Sequence, residues 1–147
     1  MRDDIQQLAL ELLKHYENKL ALLKKILTSE TDKRYYLKTG SFDELEELFS
    51  NDNHIIDIVN TIDVDIMNIK SRICDISGIE EKAFEKLLLN TPNEVAGELK
   101  NKIAEIGNVL TSIQEDRDYL IHNMEQQRNF LKTDIQSLSF YGKFKKD

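Results

Sequence analysis

Three histidines, one cysteine and 27 acidic residues are the side chains with which this 147-residue chain could do chemistry. A metal centre needs ligands that converge, and side chains on a helix converge at spacings of three or four. His15, His54 and His122 lie far apart, and none has a His or Cys at that spacing. Di-iron helical bundles use Glu-x-x-His pairs. No histidine here is preceded at three residues by a glutamate. Cys74 has no acid–base partner that spacing nominates, and there is no glycine-rich phosphate loop and no G-x-S-x-G turn. The acidic runs "DELEEL" and "EEKAFEK" read as solvent-facing helix surfaces with i,i+4 ion pairs. The expectation is a chain with no catalytic residues, no metal and no cofactor, and hence not an enzyme.

Any site must then be a surface, and the elements that carry it are helices. Gly occurs 5 times and Pro once, too few turn residues for a sheet or a loop-rich fold. The net charge of −7 argues against nucleic-acid binding, since the one basic run, Lys143 to Lys146, is too short to outweigh an acidic body. No apolar stretch approaches the ~20 residues of a membrane span. The opening "MRDDIQQLAL" lacks the basic start and apolar run of a signal peptide. A single cysteine fits a reducing compartment. A cytoplasmic chain without membrane insertion is expected.

The periodicity predicts an all-α fold, an antiparallel helical bundle or coiled-coil hairpin. It has three long helices plus one short connecting helix, in one domain over residues 1–138. The first helix, about 4–38, carries two neighbouring apolar lines: Ile5, Leu8, Leu12, Leu22 and Ile26, and Leu13, Tyr16, Leu20, Leu23, Leu27 and Leu37. Adjacent lines make a stripe wide enough for two partner helices. Gly40 suits a C′ position, and Ser41 with Glu44 makes a capping-box pattern for the next helix, about 42–76. That helix has a seam stepping by three and four: Leu45, Leu48, Asp52, Ile55, Val59, Ile62, Ile66, Ile69, Ile73 and Ile76. Asp52 is its one polar member. It could be a buried specificity device, but near the hairpin end it is expected to reach water. A capping box at Ser77 and Glu80 predicts a short helix over about 79–89. Thr91, Pro92 and Glu94 are the expected N-cap, N1 and N3 of a last helix over about 92–138.

The last helix has the seam Leu99, Ile103, Ile106, Leu110, Ile113, Leu120, Met124, Leu131 and Leu138, interrupted by Arg117, Gln127 and Asp134. At about 47 residues it would reach roughly 70 Å, against roughly 50 Å for the first two helices. Its C-terminal end is therefore expected to overhang, unless it bends or a dimer covers it. The late face, Leu120, Met124, Leu131, Ile135 and Leu138, could receive an amphipathic partner helix, with Arg128 and Lys132 pairing with acidic residues. Residues 139–147 form a C-terminal aromatic and basic tail. Tyr141 there suits either docking or folding back, since its ring buries area while its hydroxyl keeps a partner.

The order of features resembles the FlgN family of flagellar type III export chaperones. The family has a long leucine-rich first helix, a Glu, a short gap, and a glycine-containing step into the second helix. Here these read Glu30 and then "YYLKTGSFDELEEL", Tyr35 to Leu48. "IQEDRDYLIH", Ile113 to His122, is similar in apolar spacing to a stretch of the family's last helix, without its Asn residues. Tyr141-Gly142 matches the family's closing Tyr-Gly step, though no second Gly follows. The resemblance implies a cytosolic chaperone of hook-filament junction (hook-associated) proteins. It would bind their C-terminal helical region, prevent premature assembly, and deliver them to the cytosolic domain of the export gate. It implies substrate-protein binding on the late face of the last helix, placed here on Leu120, Met124, Arg128, Leu131, Ile135 and Leu138. It implies gate docking through Tyr141, with Phe140 and Gly142 beside it. A self-associating structural coiled coil, perhaps a homodimer of hairpins, and a chaperone of another secretion substrate remain the alternatives.

Overall fold

The computed structural model describes residues 3–90 and 93–126. The fold is all-α, of the helical-bundle class, with no strand among the described residues. Its elements are α1 (Asp3–Thr28), α2 (Glu30–Thr39), α3 (Phe42–Ser77), a 3-10 turn (Glu81–Ala83), α4 (Phe84–Asn90) and α5 (Glu94–Gln126). No described helix is long and apolar enough to cross a membrane.

The expected first helix is two helices. The break falls at Ser29, which has φ −84° and ψ −2°. Two consecutive hydroxyls cause it. Thr28 Oγ1 donates to the Lys25 carbonyl at 3.0 Å and Ser29 Oγ donates to the Ile26 carbonyl at 2.8 Å. Back-bonding of this kind competes with the helical ladder and bends it. The Ser29 amide takes a tighter bond to Ile26, at 3.3 Å, and the Lys33 amide then reopens the helix on the Ser29 carbonyl at 3.0 Å. Asp3 and Asp4 in the first turn of α1 and Lys25 in its last turn complement the helix dipole.

Gly40 closes α2 in the left-handed region, φ 73°. The Ser41 amide reaches back to the Tyr36 carbonyl and the Gly40 amide to that of Leu37. This is the paired bond pattern of a Schellman stop. A Cβ on Gly40 would meet nothing nearer than Phe42 Cζ at 4.0 Å. Gly40→Ala is therefore expected to cost about 1 kcal/mol through backbone strain alone. Denaturant unfolding checks this, and a cost near zero would show that the turn does not need its glycine.

The remaining caps depart from the expected pattern. Gly78, φ 69°, ends α3 by the same device, with the Ile79 amide on the Cys74 carbonyl. Glu80 follows in extended conformation with no side-chain cap, so the Ser77–Glu80 capping box does not form. The short helix starts instead as a 3-10 turn at Glu81. Helix α5 starts at Glu94, with Asn93 as its cap: Asn93 Oδ1 accepts from the Val95 amide at 2.9 Å. The expected cap Thr91 and Pro92 lie outside the described residues.

The chain folds as two compact units. The first takes Met1–Leu22 and Ile58–Asn108, the second Leu23–Asp57 and Val109–Asp147. The first has an apolar core built from both lines of α1 (Leu8, Leu12, Leu13, Leu20), the α3 seam (Val59, Ile66, Ile69, Ile73) and Leu99 and Ile106 of α5. Burying each such side chain contributes about 1.5–3 kcal/mol. The second unit buries Leu23, Ile26, Leu37, Leu45, Phe49, Ile113, Leu120 and Met124, and it also buries four charged side chains.

Candidate functional site

Those four charges are Glu30, Lys33, Asp52 and Arg117. Glu30 and Lys33 sit three apart on α2, so they share a face. That face is the buried one, because Ile26, Glu30, Lys33 and Leu37 step by four, three and four. Lys33 is 1% exposed and Asp52 2%. The Lys33 ammonium lies 2.6 Å from Glu30 Oε1 and is in ion contact with Asp52 across the α2–α3 turn. Asp52 therefore does not reach water, contrary to expectation: Lys33 meets it inside the unit.

Two carboxylates thus share one cation in an apolar surrounding. Burial pushes the Glu30 carboxyl up, the Lys33 ammonium pulls it back, and Asp116 and Asp52 push it further up. Burial also pushes Asp52 up, again opposed by Lys33. Glu30 Oε2 is buried without a hydrogen-bond partner. Both groups hold a proton more tightly than carboxyls in water. The cluster is a proton-sensitive structural lock, not a catalytic dyad, since it is closed from solvent.

Around it, Arg34 ties α2 to α5. Its Nη2 lies 2.7 Å from Asp116 Oδ1, and its guanidinium carbon sits 4.0 Å from the Tyr119 ring centre. Arg117, the early interruption of the α5 seam, is buried inside the unit. Its Nε has only a long contact, 3.4 Å, to Asp118, and its Nη1 is buried without a partner.

Of the residues singled out for substrate-protein binding, the structure describes Leu120 and Met124. Both are buried within the second unit, at 0% and 4% exposure. They lie on the expected α5 seam, covered by the chain's own side chains. Arg128, Leu131, Ile135 and Leu138, and the docking residues Phe140, Tyr141 and Gly142, lie outside the described residues, as does the expected helix beyond Gln126. Among the described residues, no group of three or more His, Cys, Asp or Glu could hold a metal ion.

The first unit holds a feature that periodicity did not point to. A cleft of about 510 Å³ opens between α1, α3 and the start of α4. Tyr16, Ile66, Cys74 and Phe84 line its apolar part. Burial, then Asp63 and Glu85, push the Tyr16 hydroxyl up to about 12, so it stays protonated. The Cys74 thiol is likewise pushed up, by burial first and then Glu81. A thiol held protonated is a poor nucleophile. At the rim, Lys19 pairs with Asp63 at 2.7 Å.

An all-α helical bundle with a closed charge cluster and an open apolar cleft is a scaffold that binds or assembles. No family model matches the chain, and no characterised protein or solved structure matches it either.

Proposed function

We propose that this chain is a cytoplasmic flagellar export chaperone of the FlgN type, a binding module without catalysis. It would hold the C-terminal helices of hook-filament junction proteins and present them to the export gate. The observation that carries the reading is the local order around Glu30 and Gly40. A leucine-rich helix breaks just before Glu30, and a left-handed Gly40 then turns the chain into a second long helix. That is the order of features on which the resemblance rests. Self-association through the helical seams has less support. Ile66, Ile69, Ile73, Leu99 and Ile106 are already buried within the chain.

The test is a pull-down from source-cell lysate with the whole chain, with Tyr141→Ala, and with a form truncated after Leu138. Mass spectrometry identifies what each retains. Hook-junction proteins are expected with all three, and an export-gate component with the whole chain alone. Recovery of nothing but further copies of the chain would overturn the reading in favour of self-assembly.

A further inference from the structure

We propose that the cleft of the first unit docks a partner helix that inserts an apolar anchor and flanks it with acidic side chains. This stands apart from the chaperone reading, which concerns the α5 face and the tail. Volume comes first. About 510 Å³ lies within the ~300–1,000 Å³ range of ligand-binding clefts and is large enough for an inserted side chain. Chemistry comes second. Ile66, Phe84 and the Tyr16 ring are buried residues that offer an apolar wall, and they present no ionisable group ready for reaction.

Charge decides the partner's sign. Three lysines, Lys19, Lys70 and Lys82, line the cleft against two carboxylates, Asp63 and Glu81. The local balance is 3 − 2 = +1 on a chain of net charge −7. Asp63 is taken by Lys19, and Glu81 accepts a hydrogen bond from the Ser71 hydroxyl. Lys70 stands 5.1 Å from the Phe84 ring centre, and among the described residues no carboxylate forms a salt bridge with Lys70 or Lys82. Two ammonium groups are therefore free to meet acids, on a molecule that otherwise repels them.

Shape makes the partner a helix. Met67, in the lining, is 62% exposed, and Val64, one turn earlier on α3, is 56% exposed. An exposed apolar pair at i,i+3 beside a cleft matches the spacing at which an amphipathic helix places its anchors. Methionine adapts its shape to what it meets.

Methionine also supplies the readout. The full chain carries three, Met1, Met67 and Met124. With methyl-¹³C methionine, it is titrated with two synthetic helical peptides of about five turns. They share one leucine face and carry either Glu or Lys on the other. The Glu peptide is expected to shift the Met67 methyl signal and leave that of Met124 in place. Lys70→Glu with Lys82→Glu is expected to weaken it about tenfold, with the milder Gln pair intermediate. An unmoved Met67 signal, equal binding of the Lys peptide, or unchanged affinity in the charge variants would each overturn the proposal. A shift at Met124 alone would do so too, and would place helix binding on α5. None of these outcomes bears on whether hook-junction proteins are retained by the whole chain.

Discussion

Replacing Lys33 by methionine is expected to destabilise the second unit by about 3–5 kcal/mol at neutral pH. Methionine keeps the length and bulk of the stem, so the loss is electrostatic. Glu30 and Asp52 would remain inside with no cation between them. Two unpaired buried carboxylates cannot both stay ionised, so at least one takes up a proton. The sign of the pH dependence follows from the native protein. Both carboxyls are raised by burial above their ordinary values of 4.5 and 3.8. A raised carboxyl binds its proton more tightly folded than unfolded. Its contribution is fully present below the unfolded value and is lost as pH rises through the folded one. Without Lys33 the one strong opposing influence is gone, so both values rise further and the loss deepens. The gap between native and Lys33→Met chains should therefore shrink on acidification toward the ordinary carboxylate range. Urea unfolding at several pH values measures it. A gap independent of pH would mean that the cost is packing, and that the charges are not coupled as described.

A companion variant separates the pair from its environment. Lys33→Met with Glu30→Leu and Asp52→Leu removes all three charges at once. Replacing a buried ion cluster with apolar side chains is often neutral or stabilising. Recovery of native stability in this triple variant is expected, with the pH dependence of the cluster gone. The lock then serves specificity: it aligns α2 with α3, since a register slip would separate Lys33 from Asp52.

Much of this fold was readable from periodicity, because burying an apolar stripe is what most stabilises a helix in a protein. The two lines of α1 and the α3 seam are buried largely where their spacing places them. Gly40 stops a helix because a left-handed residue without Cβ is needed there. The break at Ser29 was harder to see. Thr28 and Ser29 are ordinary helix residues by composition, and their back-bonding depends on rotamers that spacing does not encode. The charge cluster did leave a signal. Glu30 and Lys33 continue the alternation from Ile26 to Leu37, Asp52 sits on the α3 seam, and Arg117 sits on the α5 seam. Each alone reads as a seam-edge residue in water. Only the pairing of α2 with α3 turns them into a buried cluster, and pairing is a tertiary fact. The cleft left no periodic trace, because it is a shortfall of packing among side chains from separate segments.

Leu120→Ala is expected to cost about 2–5 kcal/mol, and this bears on how α5 could bind anything. Leu120 has no exposed surface, and Met124, one turn on, is nearly as closed. Trimming such a leucine removes its transfer free energy and leaves a cavity that the surrounding helices fill only in part. Leu120→Met, which conserves volume, should cost under ~1.5 kcal/mol. Denaturant unfolding of the two variants reads the difference directly. For function, a fully covered side chain can contribute to substrate binding only if the second unit first opens. Binding of a hook-junction helix by Leu120→Ala should then track the folded fraction and be regained where the variant is fully folded. Leu120→Met should bind as the native chain does. If Leu120→Ala keeps native stability yet loses binding, Leu120 is a contact residue and the packing described for α5 is wrong. If stability and binding fall together, the role of Leu120 is to hold α5 in place, and whatever α5 offers a partner lies on side chains other than this one.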